Sequence, residues 1–301
     1  MSKRSIMHML TPMPHSSPFD INMAIDAGYD LAFTYDNVTL ERITDMTQDA
    51  IFSRGPSGVK KTGIFIGGRD IGLAMDMLDA TKKAMVPPFE VSVFADPSGA
   101  FTTAASLVAC VERELKNNFQ QSFEGMKAVV FGGTGAVGLS TAVIVAEQGA
   151  DTTIVDHFSI DTALEHANEA NRRFGVDLTA TTAASDADKA RLIVDADIIF
   201  CTVKAGIQVL NASVLADAKQ LKVAGDVNAV PPLGIEGIKL MDTGAPLVHA
   251  SNAPGAVGVG ALAVGDVKYH LQHALLQQTL EEGDPVYLDF RSAFEGARKL
   301  A

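Results

Sequence analysis

Several residue types are scarce in this 301-residue sequence, and each scarcity argues against a class of protein. Tryptophan is absent, and the two cysteines, Cys110 and Cys201, stand far apart with no Cys-x-x-Cys spacing. Two such cysteines cannot build a disulfide framework, and they offer no zinc-ligand pattern. We therefore predict no metal site and expect a reducing compartment, the cytoplasm.

Basic residues and long apolar runs are also scarce. The 24 Lys and Arg against 36 Asp and Glu give a formal net charge of −12, and no basic cluster is visible, so we predict no nucleic-acid partner. The longest weakly polar stretch, Ala253–Val264, is rich in glycine and too short to span a bilayer. Pro12 and Pro14 interrupt the apolar run near the N-terminus. We predict neither a membrane segment nor an export signal.

What the sequence does contain is an alternation of strand and helix patterns. In the first third the predicted strands are Ser5–Leu10, Leu31–Tyr35, Gly63–Gly68 and Glu90–Ala95. The helices predicted between and after them run from Ser17 to Gly28, from Asp70 to Lys83 and from Phe101 to Asn117. This alternation is typical of a parallel α/β sheet covered on both faces.

A second unit of the same kind follows the polar segment 117–125. Its predicted strands are Lys127–Phe131, Asp151–Val155, Asp197–Cys201 and Leu221–Ala224, and its predicted helices are Ala136–Gln148 and Ile160–Phe174. A helical pattern then runs from Val264 to about Glu282, and Phe290–Leu300 is a last predicted helix. We predict an α/β protein of two domains: residues 1–120, completed by the C-terminal helices in 263–301, and a Rossmann-type parallel-sheet domain over 121–262.

The strongest local signal is a glycine pattern after the strand Lys127–Phe131. Gly133-x-Gly135-x-x-Gly138 follows an apolar strand and opens a helix, which is the context that a dinucleotide fingerprint requires. The first glycine permits the tight turn, the second lets the backbone approach a pyrophosphate, and the third lets helix and strand pack closely. The cofactor residues predicted here are Gly133, Thr134, Gly135, Ala136 and Val137. The alternative is a glycine-rich turn without a ligand.

The end of the next strand bears on cofactor choice. Asp156 stands there, and a carboxylate at this position accepts hydrogen bonds from ribose hydroxyls and repels a 2′-phosphate. We predict NAD as the cofactor, with NADP as the alternative. His157 either contacts the adenosine end or is a solvated loop residue, and Asp156 would also serve as a cap for the helix near Ile160.

Two further loops should reach the same cofactor, because ligands of open α/β sheets bind beyond the carboxyl ends of the strands. Thr202 and Val203 follow the strand Asp197–Cys201, and Asp226 and Asn228 follow the strand Leu221–Ala224. We predict that all four contact the dinucleotide. The alternative for Asp226 and Asn228 is that they hold turns.

Common dehydrogenase mechanisms leave no trace in the sequence. None of the four tyrosines is followed four positions later by a lysine, and no Ser or Cys stands in a recognisable triad pattern. What remains is hydride transfer that needs no strong built-in acid–base pair.

Motifs along nearly the whole chain carry a more specific resemblance. They are Ile6–Pro12, Ser17–Asp20, Gly63–Gly68, Phe94–Pro97, Phe101–Thr103, Gly132–Gly138, Asp226–Pro232, Gly258–Ala261 and Val267–Tyr269. Together they resemble the NAD(P)-dependent methylene-tetrahydromethanopterin dehydrogenases of methylotrophic bacteria. The resemblance implies a small-molecule pterin substrate held between the two domains. Its NADP-preferring members carry basic residues where Asp156 and His157 stand here.

The resemblance also implies site residues. Lys268 would be catalytic, acting by orienting the substrate or by exchanging a proton with a bridge nitrogen; otherwise it is a surface lysine. The substrate residues implied are Ser17, Phe19, Asp20, Asp96, Ser98, Thr102 and Gly258, with helix capping as the alternative for Asp20 and Asp96. We expect a homo-oligomer. The competing functions are oxidation of the tetrahydrofolate analogue and dinucleotide sensing without catalysis.

Overall fold

Parallel strands connected by helices make up most of the chain. The computed structural model describes residues 3–281 and 283–301. The strands are β1 (Ile6–Leu10), β2 (Leu31–Tyr35), β3 (Thr62–Ile66), β4 (Ser92–Ala95), β5 (Lys127–Phe131), β6 (Asp151–Asp156), β7 (Thr179–Thr182), β8 (Ile198–Cys201), β9 (Val223–Asp226), β10 (Thr243–Pro246), β11 (Val257–Val259) and β12 (Tyr287–Leu288).

The helices lie between these strands and after them. They are α1 (Pro18–Asp26), α2 (Ile43–Phe52), α3 (Pro56–Val59), α4 (Ile71–Ala84), α5 (Ala100–Glu114), α6 (Ala136–Glu147), α7 (Ile160–Phe174), α8 (Asp186–Ile193), α9 (Ala212–Leu215), α10 (Ala261–Gln278) and α11 (Phe290–Ala297). A π-helical turn, Leu115–Phe119, continues α5.

The first unit is a five-stranded parallel sheet in the order β12-β4-β3-β1-β2. The central strand β3 is buried along its whole length, which suits its uninterrupted apolar composition. Local signals start its helices: Ser17 caps α1 by accepting from the Asp20 N–H, and Asp70 caps α4 by accepting from the Leu73 N–H.

The second unit is a seven-stranded sheet in the order β10-β11-β9-β8-β5-β6-β7, parallel except for β10. The strand β5, which precedes the glycine pattern, lies inside this sheet between β6 and β8. The helix α6 is apolar nearly all round, and most of its residues are buried. A helix of that composition has to be covered by other elements, so its start is held firmly against the sheet.

The division into units differs in its boundary from the predicted one. The first unit ends at Thr102 and takes in Tyr269–Gly296, and the second comprises Thr103–Lys268 with Ala297–Ala301. The predicted boundary near residue 120 was placed by the polar character of 117–125. The structure instead divides the chain inside α5, between Thr102 and Thr103.

Several elements escaped prediction. The helices α2 and α8 and the strand β7 have no counterpart among the predicted elements, and neither have β10 to β12, which have only two to four residues each. The long C-terminal helix begins at Ala261 and ends at Gln278, whereas its predicted end, Glu282, is outside the described residues. Within residues 3–281 and 283–301, no helix combines the length and apolar character that crossing a bilayer requires.

Candidate functional site

The turn between β5 and α6 contains glycines that have no room for a side chain, namely Gly132, Gly133 and Gly138. The left-handed backbone conformation falls on Gly132 (φ +76°), one position before the predicted Gly133. A Cβ at Gly133 would lie 2.6 Å from Cβ of Ile154 on β6, and one at Gly138 would lie 2.1 Å from the Gly132 carbonyl oxygen. Gly133 therefore serves close packing against β6, and the tight turn depends on Gly132.

Gly135 differs from its neighbours because it faces open space. A Cβ there would meet only the Gly132 carbonyl oxygen, at 3.4 Å. Gly135 is the N-cap residue of α6, and no side chain caps this helix. The start of α6 thus combines an accessible backbone, N–H groups without a side-chain cap and the positive end of the helix dipole, which is the arrangement that binds a pyrophosphate.

Asp156 lies at the carboxyl end of β6, beside this turn. Its carboxylate accepts hydrogen bonds from the Phe158 and Ser159 N–H groups (2.8 and 2.9 Å) and from the Thr134 hydroxyl (2.8 Å). Burial raises the pKa of Asp156, but these hydrogen bonds outweigh it and leave the pKa below its usual value. The cap of α7 is Ser159, not Asp156, so the capping alternative is wrong.

A cavity of about 400 Å³ opens next to the fingerprint turn, within the second unit. The predicted cofactor residues that line it are Thr134, Gly135, Asp156, His157, Thr202 and Val203. The predicted cofactor residues that do not line it are Gly133, Ala136, Val137, Asp226 and Asn228. Thr202 also supports the turn directly, because its hydroxyl donates to the Phe131 carbonyl at 2.9 Å.

Sequence reasoning missed part of this cavity. Lys189 and Ala183 reach it from α8 and from the segment before it, and neither element was predicted. Phe158 lies beside the predicted His157, is 90% exposed, and its ring meets the His157 ring edge-on at 4.5 Å between centroids. The sequence signal for Phe158 was an aromatic residue two positions after the strand-end Asp156.

Asp226 is directed into its own loop. The residue is 1% exposed, and its carboxylate accepts from the N–H groups of Asn228 (2.9 Å), Ile235 (3.0 Å) and Gly234, and from the Cys201 thiol. Burial raises the pKa of Asp226, and burial beside this carboxylate raises that of the Cys201 thiol. The carboxylate therefore already has four donors, and these hydrogen bonds shape the loop. Direct contact between Asp226 and the cofactor stays a prediction.

Asn228 is likewise 2% exposed, and its carboxamide hydrogen-bonds only to backbone groups of the two loops that follow β8 and β9. The turn-holding alternative describes these hydrogen bonds, and direct contact between Asn228 and the cofactor stays a prediction.

Among the predicted substrate residues, Asp96 and Thr102 are both fully buried. The Asp96 carboxylate accepts from the Phe101 and Thr102 N–H groups (2.9 and 3.1 Å) and from the Thr102 hydroxyl (2.7 Å). The pair therefore satisfies N–H groups at the start of α5. Substrate contact by Asp96 and Thr102 stays a prediction. Ser98 is exposed, adopts φ 53°, and donates to the Gly68 carbonyl at 2.6 Å.

The residues of the segment Ser17–Asp20 differ in exposure and in hydrogen bonding. Ser17 is the N-cap of α1, Phe19 is 48% exposed, and Asp20 is buried. The Asp20 carboxylate accepts from the Gln272 side chain of α10 at 2.9 Å. Capping of α1 thus belongs to Ser17, and the capping alternative for Asp20 is wrong.

Two predicted residues lie in the C-terminal part of the second unit. Gly258 is buried in β11, where a Cβ would lie 2.9 Å from Cγ1 of Ile238, and its contact with the substrate stays a prediction. Lys268 is half-buried in the first half of α10. Among the residues that the structure describes, no group of three or more His, Cys, Asp or Glu side chains is arranged to hold a metal ion.

The sheet order, the fingerprint turn and the strand-end carboxylate define a class, namely the α/β proteins with a Rossmann-type nucleotide-binding unit. A solved structure in this class is shikimate 5-dehydrogenase from Listeria monocytogenes in complex with shikimate and NAD. It has a TM-score of 0.51 and 13% identity to this chain and covers 97% of this chain and 96% of its own. At this identity the likeness concerns the fold alone, and it confirms the predicted fold class.

Sequence comparison narrows the class to a family. Residues 18–98 match the family model described as methylene-tetrahydromethanopterin dehydrogenase, N-terminal. The chain is 46% identical over 298 residues, 99% of each chain, to the NAD(P)-dependent methylenetetrahydromethanopterin dehydrogenase of Methylorubrum extorquens. It is 32% identical over 285 residues, 95% of each chain, to the bifunctional protein MdtA of the same organism. The chain belongs to the methylene-tetrahydromethanopterin dehydrogenase family, which confirms the predicted resemblance.

Proposed function

We propose that this chain oxidises methylene-tetrahydromethanopterin to the methenyl form by hydride transfer to NAD, with NADP as a second acceptor. The observation that carries the proposal is 46% identity, over 99% of both chains, to a relative named for NAD(P)-dependent activity on this substrate. No observation favours the tetrahydrofolate analogue or a role in sensing without catalysis, and both are outcomes of the test below.

The second unit fits the dinucleotide. Gly135 leaves room for a pyrophosphate, and the uncapped start of α6 supplies N–H donors for it. Asp156 has a lowered pKa and is ionised at neutral pH, so it would accept from the adenosine ribose and disfavour a 2′-phosphate. These features support a preference for NAD. The cofactor residues proposed are Thr134, Gly135, Asp156, His157, Thr202 and Val203, with backbone contacts from Gly133, Ala136 and Val137.

The reaction asks little acid–base chemistry of the protein. The departing hydride takes both electrons of the C–H bond of the methylene bridge. The bridge carbon is left with a positive charge that is delocalised over the N–C–N unit. The dinucleotide, when bound, supplies the acceptor carbon. The chain's residues then bind and orient the two partners and exclude water, since no proton must leave in the same step.

For the pterin we propose Ser17, Phe19, Asp20 and Ser98 of the first unit. Phe19 and Ser98 expose their side chains, and Asp20 is a buried carboxylate that already accepts from an amide. A negative charge near the bridge would favour the cationic product. Lys268, which is half-buried, is proposed as the catalytic residue, acting by substrate orientation or by proton exchange at a bridge nitrogen.

Location and assembly belong to the same proposal. The free thiols of Cys110 and Cys201 are both buried, which is compatible with the cytoplasm as the working compartment. We propose that the enzyme works there as a homo-oligomer, which light scattering of the purified chain would test.

The decisive experiment is an absorbance assay of the methylene forms of tetrahydromethanopterin and tetrahydrofolate, each with NAD and with NADP. We expect turnover of the methanopterin derivative, with the higher kcat/KM for NAD. Faster turnover of the folate derivative would replace the proposed substrate. Binding of NAD without turnover of either pterin would contradict the catalytic proposal and favour the sensing role.

A further inference from the structure

One buried carboxamide joins the two loops that follow β8 and β9. The Asn228 oxygen accepts from the N–H groups of Gly206 (3.1 Å) and Val230 (2.9 Å). Its nitrogen donates to the carbonyls of Pro232 (3.0 Å) and, at a longer 3.5 Å, Ile207. Both lone pairs and both N–H groups of the carboxamide are thus used, two on each loop.

A second buried group, the Asp226 carboxylate, holds the backbone of Asn228. The backbone N–H of Asn228 donates to the Asp226 carboxylate, which also accepts from the Cys201 thiol at the end of β8. The residue that joins the loops is therefore held in place by the ends of both strands. Because the carboxamide is held at all four of its hydrogen-bonding positions, it fixes the distance between the two loops.

The loop after β8 is part of the cavity wall. Val203, Lys204, Ile207 and Gln208 all line the cavity, and Asn228 hydrogen-bonds within this loop at Gly206 and Ile207. Moving the loop would therefore change the shape of the cavity, although Asn228 does not line it.

The lining of the cavity indicates which half of a dinucleotide would lie against this wall. Asp156 and His157 at the end of β6 line the same cavity as the loop after β8, and so do Ala183 and Lys189. With the pyrophosphate at the fingerprint turn and the adenosine ribose at Asp156, the adenosine half would occupy this cavity. The wall that Asn228 holds is therefore on the adenosine side.

We infer that Asn228 is a positioning residue, which holds the loops after β8 and β9 at the spacing that the adenosine half requires, although its side chain does not line the cavity. The inference rests on the proposed function, since it presupposes a bound dinucleotide. It assigns part of the affinity for the adenosine half to a hydrogen-bonded side chain outside the cavity.

The test is the isosteric substitution Asn228→Asp. A carboxylate can still accept from Gly206 and Val230, but it places an oxygen opposite the Pro232 carbonyl, 3.0 Å away in the native chain, where a donor is needed. The loops should separate, and the fraction of molecules with a competent cavity wall should fall. We expect the Kd for NAD, measured by calorimetry, to rise by about tenfold or more. The Kd for AMP, which reports the adenosine side, should rise by a similar factor.

Asn171→Asp is the matched control. Its carboxamide also binds backbone groups on both sides, accepting from the Leu178 N–H (2.7 Å) and donating to the Leu178 carbonyl (3.0 Å). It belongs to the same unit but lies before the amino end of β7, and it does not line the cavity. This variant should lose thermal stability without a change in NAD or AMP affinity.

Each outcome decides the inference. Parallel losses of NAD and AMP affinity in Asn228→Asp, absent from Asn171→Asp, support it. Unchanged affinity for either ligand, or equal losses in the two variants, would overturn it, because Asn228 would then be irrelevant to the cavity or would serve the unit as a whole. If Asn228→Asp does not fold, Asn228→Ser, which is too short to join the loops and adds no charge, is judged by the same comparison. Failure of the wild type itself to bind NAD would refute the proposed function, a result distinct from any difference between variants.

Discussion

Two glycines of the same fingerprint should respond in opposite ways to the same added methyl group. In Gly138→Ala the new Cβ would lie 2.1 Å from the Gly132 carbonyl oxygen and 2.6 Å from the Thr202 hydroxyl. Neither the backbone of the turn nor the tethered Thr202 can withdraw without moving α6 away from β5. In Gly135→Ala the nearest atom is 3.4 Å away, and the native φ of −77° is one that alanine adopts readily.

The magnitudes follow from these distances. Overpacking a tight core site costs about 1–3 kcal/mol, and a 2.1 Å approach to backbone belongs at the upper end. At about 2–4 °C per kcal/mol for a unit of this size, Gly138→Ala should lower the Tm by roughly 6–12 °C. Gly135→Ala should lose only a few tenths of a kcal/mol in stability, as expected for alanine at an N-cap. Its methyl would occupy the space for the pyrophosphate, so NAD affinity should fall by about tenfold or more.

Differential scanning fluorimetry and calorimetric titration with NAD measure both effects. Gly138→Ala should be unstable, whereas Gly135→Ala should be stable but poor at binding. A Gly138→Ala variant as stable as wild type would refute the packing argument. A Gly135→Ala variant with normal NAD affinity would show that no ligand approaches the backbone at this turn, and the fingerprint would have to be regarded as a purely structural feature.

Further predictions concern cofactor choice, catalysis and stability. Replacing Asp156 by Ser and His157 by Arg should raise kcat/KM for NADP relative to NAD, and an unchanged ratio would leave Asp156 only the role of holding its turn. Lys268→Met should lower kcat by about 10²-fold with NAD affinity intact, whereas a change confined to the pterin KM would limit Lys268 to binding. Arg298→Met removes the two-pronged partner of the buried Glu112 carboxylate and should cost roughly 2–3 kcal/mol at pH 7. Burial raises the pKa of Glu112, but Arg298 and Lys116 together outweigh it and hold the pKa below its usual 4.5. The stabilisation is therefore present above pH 4.5 and is lost as the pH falls through the lowered pKa, so the gap to wild type in urea denaturation should narrow below pH 4.5. A gap independent of pH would contradict this origin.

The strand, turn and helix around Gly132–Gly138 could be predicted from the amino-acid sequence, because the residues that form them lie within about a dozen consecutive positions. An apolar strand, small residues at a sharp turn and an apolar helix are all local properties. The position of Asp156 followed from the same logic, since a parallel strand after a helix ends at the same edge of the sheet. Even here the left-handed turn residue is Gly132 instead of Gly133, a shift of one position that composition cannot resolve.

The directions of the polar side chains in the loops could not be predicted, because they depend on contacts between residues distant in sequence. Asp226 and Asn228 stand at a strand end, as ligand-binding residues do, yet their hydrogen-bond partners are backbone groups of Ile235 and Gly206, nine residues ahead and 22 behind. Asp96 turns to the start of α5 in the same way. A buried carboxylate or carboxamide is stable only where its hydrogen bonds are satisfied, and a loop that folds back offers N–H donors before any ligand arrives. Whether such a residue binds a cofactor or shapes its site depends on the path of the loop, which is determined by contacts distant in sequence.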